Sequence, residues 1–235
     1  VRVCNSLSCF LKKSNSLINE LKKYTDNNVR IIEAPCLGAC DVAPASAIGH
    51  SLISHSNVAN ILKGIKGNLP KNPTLNTIDF EEYISNNGYK TLSKIISGEL
   101  HKDSILEEIK VSGLRGLGGA GFPTSVKWSI VKSEQGKKIV AVNGDEGEPG
   151  TFKDRYYLER DPHRMIEGML ISASVIGSKE CYIYLRDEYP EIRHFLIKEL
   201  EKLKEYNIVP DIIIHLRLGA GAYICGEETA MIESI

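Results

Sequence analysis

Hydrophobic residues in the first 65 positions follow strand and helix periodicities in turn. Short apolar runs at residues 1–3, 29–33 and 51–54 predict strands. Apolar positions spaced three and four apart predict helices at residues 17–24 and 58–65. This alternation predicts a small α/β unit over residues 1–65.

The segment that follows has no apolar periodicity. Its sequence from 66 to 74 is KGNLPKNPT, with two prolines and a glycine, a composition typical of linkers. We therefore predict a linker at 66–78, between a domain at 1–65 and a second domain at 79–235.

The second domain has a pattern of alternating helices and buried strands. Asp161 and Pro162 are typical of the N-cap and first position of a helix. The strand segments are continuous apolar runs separated by helical stretches, which predicts a parallel sheet covered on both faces. The predicted elements are helices at 80–97 and 104–110, a glycine-rich loop at 113–121 leading into a helix, and strands at 138–142, 181–185 and 212–216.

Composition and charge exclude several classes of protein. The chain is 42% hydrophobic and 25% charged, with a formal net charge of −1, so nothing indicates a nucleic-acid or anionic-membrane partner. No run approaches the roughly 18 apolar residues of a membrane span, and no signal-peptide pattern opens the chain. We expect a cytoplasmic protein with no direct membrane span, peripheral on a membrane complex at most. The start at Val1 and the end at Ile235, within a helical pattern, predict that the second domain is incomplete at its C-terminus.

Four of the six cysteines lie in the first forty residues, directly after predicted strands. Cys4 and Cys9 are spaced C-x4-C, and Cys36 and Cys40 are spaced C-x3-C. Four thiolates from two loops can hold an iron–sulfur cluster or a zinc ion. The wide loops favour a two-iron cluster, and zinc remains the alternative. Cys181 and Cys225 are expected to be packing thiols, and the six histidines, which show no ligand spacing, to be surface or hydrogen-bonded core residues.

This cysteine set resembles that of the thioredoxin-like two-iron, two-sulfur ferredoxin domains of NADH dehydrogenases. The resemblance covers roughly residues 1–65, and its most specific part is the stretch Cys36-Leu-Gly-Ala-Cys40-Asp. It implies that all four motif cysteines are cluster ligands.

Two loops of the second domain have the chemistry of ligand sites. The stretch 116–121 matches G-x-G-x-x-G, whose backbone N–H groups can approach a phosphate at the start of a helix that also carries Lys127. Because a helical pattern precedes the loop, a Rossmann fingerprint is a weak interpretation of it. The second loop places Asp145, Glu146 and Glu148 after a strand, at the edge where parallel sheets bind ligands, although a solvated acidic turn is the alternative.

Together, segments 113–123, 143–155 and 219–229 closely resemble the flavoprotein subunit of respiratory complex I, of NAD-dependent formate dehydrogenases and of NAD-coupled hydrogenases. The resemblance covers about residues 80–235. It implies a Rossmann-like FMN-binding domain with a parallel sheet, after the thioredoxin-like domain. The family's four-iron cluster (4Fe-4S) is expected beyond Ile235.

The resemblance also implies which residues bind the cofactors. NADH is expected to stack near Phe122 and to contact Glu148 and Glu228, while Glu146 is included as a further cofactor-binding residue of the acidic loop. The family usually has Arg where this chain has Leu117, with Arg115 nearby. The residues implied to hold FMN are Gly116, Gly118, Lys127, Asn143, Asp145, Gly226 and Glu227.

The function implied is that of an NADH dehydrogenase subunit passing electrons between NAD(H), FMN and iron–sulfur clusters. No side chain needs to act as a catalytic acid or base. Partner subunits are expected from a molybdenum formate dehydrogenase, a hydrogenase or complex I, and the fused ferredoxin domain favours formate dehydrogenase. The alternatives are a non-catalytic electron-transfer module on a docking scaffold and a zinc-stabilised dehydrogenase with a Rossmann site.

Overall fold

A computed structural model of the chain describes residues 1–26, 28–69, 77–117 and 119–235. The first 65 residues form a four-stranded sheet of order β2-β1-β3-β4. β1 pairs parallel with β2 and antiparallel with β3, and β3 pairs antiparallel with β4. The elements are β1 (Arg2–Cys4), α1 (Leu7–Leu11), α2 (Ser14–Tyr24), β2 (Ile32–Ala34), β3 (Ser46–Ile48), β4 (Ser51–Ile53) and α3 (Val58–Ile65).

Helices α2 and α3 bury their apolar sides on this sheet. Ile18, Leu21 and Ile61 are fully buried together with Val3 and Ile53 of the strands. The three predicted strands and both predicted helices are confirmed, with ends shifted by a few residues. β3 and α1 were not predicted, because Ser46-Ala-Ile48 has only one large apolar residue and a five-residue helix is too short to show a helical period.

Helix α3 ends at Ile65, and the chain beyond it leads into the second part. The second part is fixed from its start, since the Ile78 N–H donates to the carbonyl of Arg160 at 2.8 Å. Residues 70–76 lie outside the described residues, so the linker at 66–78 stays a prediction.

The second part of the chain combines helices with a sheet of three parallel strands of order β5-β6-β7. Its strands are β5 (Ile139–Gly144), β6 (Glu180–Leu185) and β7 (Ile213–Leu218). Its helices are α4 (Phe80–Ser85), α5 (Lys90–Ile96), α6 (Lys102–Ser112), α7 (Thr124–Ser133), α8 (Lys153–Leu158), α9 (Pro162–Ile176), α10 (Pro190–Glu205) and α11 (Glu228–Ser234). Two 3-10 turns span Cys40–Val42 and Tyr223–Gly226.

The predicted parallel sheet is confirmed, but helices cover one of its faces and only part of the other, where α11 packs on the buried Tyr184. Ile183 of β6 packs into one core with Leu170 of α9 and Leu196 of α10. The opposite face carries half-exposed side chains such as Tyr182 and His215, stacked at 4.5 Å. The strands follow one another in chain order, so right-handed crossovers place both connecting helices on the same face.

The single helix predicted at 80–97 is also wrong, because the chain turns between α4 and α5. Asn87 and Tyr89 have φ angles of 65° and 59°. Gly88 lies against the Tyr83 ring, where a Cβ would collide with it. The turn buries Tyr89, whose hydroxyl hydrogen-bonds His163 Nδ1 at 2.8 Å.

The predictions for His163, a surface or hydrogen-bonded core residue, and for Cys181, a packing thiol, are confirmed. His163 is fully buried, and its Nε2 lies 3.0 Å from Glu199 Oε2. Burial lowers the pKa of His163, so this histidine is a neutral hydrogen-bonding residue of the core. Cys181 is fully buried in the main core. Within the described ranges, no helix is long and apolar enough to cross a membrane.

Candidate functional site

The four cysteines at the N-terminal end of the chain converge in the folded protein. Cys4 ends β1, Cys9 lies in α1, and Cys36 and Cys40 flank a turn after β2. The first three are 1%, 1% and 4% exposed. The sulfurs of Cys36 and Cys40 lie 3.4 Å apart, and hydrogen bonds link Cys4 to both Cys9 and Cys36.

Backbone N–H groups point at three of these sulfurs. Gly38 donates to Cys36 Sγ and Ala45 to Cys9 Sγ, each at 3.4 Å, and Gly150 donates to Cys40 Sγ at 3.2 Å. Such donors stabilise anionic thiolates. Four convergent cysteines, three of them buried and three with backbone donors, therefore fit a metal cluster bound by thiolates.

The protonation of these thiols depends on their neighbours. The hydrogen bond with Cys4 and burial hold the pKa of Cys36 far above its ordinary value. The hydrogen bond from Cys4 lowers the pKa of Cys9. A metal bound here has to displace protons from such thiols, as metals do at thiolate sites.

The loop that carries Cys36 and Cys40 packs against the second part of the chain. Arg186, which follows β6, donates from Nη2 to the carbonyl of Cys36 at 2.8 Å. The ring of Tyr189 covers Gly38, where a Cβ would lie 2.6 Å from Tyr189 Cε1. Arg155 forms an ion pair with Asp41.

Asp145, in the acidic loop, is buried close to two glycines. It is 6% exposed, and burial raises its pKa to about 6 even though Arg186 lies 4.0 Å away. A Cβ at Gly219 or Gly226 would collide with Asp145. Its Oδ2 is one of two buried polar side-chain atoms without a hydrogen-bond partner in the described structure. Such an orphaned acceptor fits a site whose ligand supplies the missing donor.

Glu146 has its carboxylate engaged within the protein. Oε1 accepts from the Tyr189 hydroxyl at 2.9 Å and from the Arg155 N–H at 2.8 Å, while Oε2 accepts from the Asp154 N–H at 2.9 Å. The carboxylate therefore caps α8 and anchors Tyr189. Glu148 is exposed and accepts a hydrogen bond from the Tyr223 hydroxyl.

The segment before α11 joins the acidic loop from the other side. Asn143 donates to the carbonyl of Gly226 at 2.9 Å and accepts from the Asp145 N–H at 3.1 Å. Glu227 caps α11 by accepting from the N–H groups of Thr229 and Ala230, which together with the Thr229 hydroxyl lower the pKa of Glu227. Glu228, in the first turn of α11, is exposed.

The glycine-rich loop is held by contacts of its own. The Gly116 N–H donates to the Phe122 carbonyl at 2.9 Å, and Arg115 donates to the Gly121 carbonyl at 3.0 Å. Leu117 is 95% exposed, and Phe122 is 48% exposed. Lys127 is exposed on α7 and pairs with no described residue. Gly118 lies outside the described residues.

The structure thus unites two of the three predicted segments directly, since Asn143, Asp145 and Glu148 contact residues 219–227. Among the described residues, the glycine-rich loop makes hydrogen bonds within itself. The helix that follows it, α7, packs against α6 and α9. Sequence reasoning missed Arg186, Tyr189 and Tyr223. Arg186 gave one signal, since it is a charged residue at the end of an apolar strand.

Two family models match the chain. One described as "Nuo51 FMN-binding domain" matches residues 109–235, more than half of the chain, and one described as "Thioredoxin-like [2Fe-2S] ferredoxin" matches residues 1–67. The second match supports the cluster over the zinc alternative.

Curated relatives agree with these matches. The F 2 subunit of the NADH-quinone oxidoreductase of Rhizobium meliloti (strain 1021) is 46% identical over 162 residues, 65% of this chain and 38% of that protein. The F subunit of the NADH-quinone oxidoreductase of Aquifex aeolicus (strain VF5) is 44% identical over 173 residues, 70% and 40% of the two chains. The chain therefore spans about two fifths of these relatives.

The likeness to a solved structure covers both parts of the chain. A crystal structure of an NAD+-reducing [NiFe]-hydrogenase in the air-oxidized state matches 99% of this chain and 45% of that one. The TM-score is 0.81 at 28% sequence identity.

Proposed function

Because the chain belongs to the family of Nuo51 FMN-binding domains, we propose that it passes electrons between NAD(H), FMN and a two-iron, two-sulfur cluster in a multi-subunit oxidoreductase. One observation carries this proposal. The loop that begins with Asn143 and Asp145, in the proposed flavin site, ends at Gly150, whose N–H contacts Cys40. A single loop thus borders both proposed cofactor sites.

We assign the cofactor-binding residues by the family pattern. FMN, when bound, exchanges a hydride with the nicotinamide and single electrons with clusters. Phe122, Glu148 and Glu228 contact the nicotinamide nucleotide, and Glu146 keeps the loop in place. FMN is held by Gly116, Gly118, Lys127, Asn143, Asp145, Gly226 and Glu227, and the cluster by Cys4, Cys9, Cys36 and Cys40.

The side chains position the cofactors and take no proton from the substrate. With FMN bound, the partnerless Oδ2 of Asp145 would accept a hydrogen bond from it. Lys127 offers an unpaired charge to the flavin phosphate, beside the glycine-rich loop and the start of α7. The capping bonds of Glu146 and Glu227 fix the two segments that border the pocket.

Within this class, the partner is a finer proposal. Residues 159–163 and 231–235 resemble sequences of the formate dehydrogenase type, and this resemblance, together with the fused ferredoxin domain, supports a formate dehydrogenase. The likeness to the NAD+-reducing hydrogenase, which extends over both domains, supports the hydrogenase alternative. NAD+ reduction by formate and by hydrogen, measured on the complex purified through a tag on this chain, separates the two.

The proposed function is tested on one preparation of the protein. In the full-length protein we expect bound FMN, a two-iron, two-sulfide cluster in the N-terminal domain, and NADH oxidation by an artificial dye. Zinc in place of iron would indicate a zinc-stabilised dehydrogenase. A cluster without flavin or dye reduction would indicate the electron-transfer module with a docking scaffold.

A further inference from the structure

The cysteine loop takes two of its hydrogen bonds from the other domain. The Gly150 N–H donates to Cys40 Sγ at 3.2 Å, and Arg186 Nη2 donates to the carbonyl of Cys36 at 2.8 Å. Both acceptors belong to proposed cluster ligands. The first domain alone therefore does not complete the surroundings of the site.

Arg186 is held beside the cysteine loop by several contacts. It is 5% exposed, and it also donates to the carbonyl of Glu146 at 2.8 Å. Its guanidinium pairs with Glu188 at 3.1 Å and lies 4.0 Å from Asp145. The side chains of Arg186 and Glu188 are only 6% and 9% exposed, so solvent screens this pair weakly.

Reduction adds one negative charge to an iron–sulfur cluster. Hydrogen-bond donors and positive charges near the cluster sulfurs favour the reduced state and raise the potential, while nearby carboxylates lower it. Glu188 pairs with the arginine that contacts the cysteine loop and carries the opposite charge. Their effects on the potential therefore have opposite signs.

Resting on the function proposed above, we propose that the FMN-binding domain tunes the cluster of the ferredoxin domain, with Arg186 as the positioning residue that raises its potential and Glu188 opposing it. Tuning then depends on the contact between the domains. Electrons leaving the flavin meet a cluster whose potential is set in part by the flavin domain itself.

The test is a redox titration of the cluster signal by electron paramagnetic resonance in the whole chain. Arg186→Gln should lower the ratio of reduced to oxidised cluster at a fixed potential by about tenfold, which is a fall of about 59 mV in the midpoint for one electron. Glu188→Gln should shift the midpoint upward. A purely structural role would not produce shifts of opposite sign.

Arg193→Gln is the matched control, since this exposed arginine on α10 has no described contact with the cysteine loop and should leave the midpoint unchanged. Arg186→Lys keeps the positive charge and should therefore keep most of the wild-type midpoint potential. If Arg186→Gln loses its cluster, the midpoints of Arg186→Lys and Glu188→Gln still test the inference. Unmoved midpoints, or shifts of one sign in both charge-removing variants, would overturn the inference. A wild-type chain without a two-iron signal would instead overturn the proposed function.

Discussion

Asp145 combines deep burial with an unsatisfied carboxylate oxygen, and this combination has a measurable cost. Its pKa is raised to about 6 from an ordinary value of 3.8, because burial disfavours the charged form. Between these two pH values the folded chain holds more protons than the unfolded chain. The free energy of unfolding therefore falls as the pH rises through this window, and it does not recover above it.

Asp145→Asn removes this titration. At pH 8 we expect the variant to be more stable than the wild type by up to about 3 kcal/mol, since each pKa unit corresponds to about 1.4 kcal/mol. At pH 4 the two should be nearly equal. Urea unfolding at both pH values measures the difference, and an identical difference at pH 4 and pH 8 would contradict the assignment.

Among the cysteines, ligand and packing roles can be separated by serine substitution. Cys36→Ser should abolish the two-iron signal while leaving dye-linked NADH oxidation largely intact, because we place hydride transfer in the other domain. Cys181→Ser, in the main core, should change neither signal. Absorption and electron paramagnetic resonance spectra, with dye reduction assays, provide the measurements. Equal loss of both signals in Cys36→Ser would refute separate sites.

At the residue scale, the sequence identifies groups whose chemistry is local. The spacing of Cys36 and Cys40 and the Asp161–Pro162 helix start depend only on neighbouring positions. Arg186 contacts a carbonyl 150 residues away, so no local pattern reveals its role. The engagement of Glu146 with Tyr189 is hidden for the same reason.

The sequence predicts which helices and strands are present better than it predicts how they are arranged. The apolar runs of β5, β6 and β7 were sufficient to predict a parallel sheet. The order of the strands, which leaves one face without crossover helices, depends on pairing that periodicity does not encode. Likewise, the turn between α4 and α5 forms because Tyr89 reaches the buried His163, a contact over 74 residues.

The turn that holds Cys36 and Cys40 offers a test of the contact between domains. Gly38 and Gly113 have nearly equal φ angles of 69° and 67°, but only Gly38 has a neighbour in the way of a Cβ. Gly113→Ala should cost about 1 kcal/mol of backbone strain. Gly38→Ala adds the collision with Tyr189, so its cost should exceed that of Gly113→Ala by about 1–3 kcal/mol.

Urea unfolding of the two glycine variants gives these costs, and spectra report the cluster. We expect Gly38→Ala to lose cluster content as well as stability, because the turn carries two of the proposed ligands. Equal destabilisation by both substitutions would show that Tyr189 does not restrain the turn.

For the whole molecule, the net charge of −1 conceals a strongly uneven distribution. The proposed nucleotide pocket is bordered by Asp145, Glu148, Glu227 and Glu228, with Lys127 on α7 as a cation that pairs with no described residue. Screening limits the reach of exposed charges to about 10 Å, so the local charge and not the net charge acts on a ligand. An acidic pocket in a nearly neutral protein selects among ligands by their charge.

Cofactor choice follows from this local field. NADPH carries a 2′-phosphate that NADH lacks, and a carboxylate about 4 Å from it costs roughly 1 kcal/mol per unit charge in water-like surroundings and about 4 in partly buried ones. We place exposed Glu228 nearest the adenosine ribose, where it accepts from the 2′-hydroxyl and repels a phosphate. Glu228→Gln should raise the ratio of NADPH to NADH kcat/KM by roughly tenfold or more. Glu233→Gln, in the last turn of the same helix, is the control. Glu146→Gln is unsuitable as a control because the Glu146 carboxylate caps α8. An unchanged ratio in Glu228→Gln would show that the adenosine ribose does not lie next to Glu228.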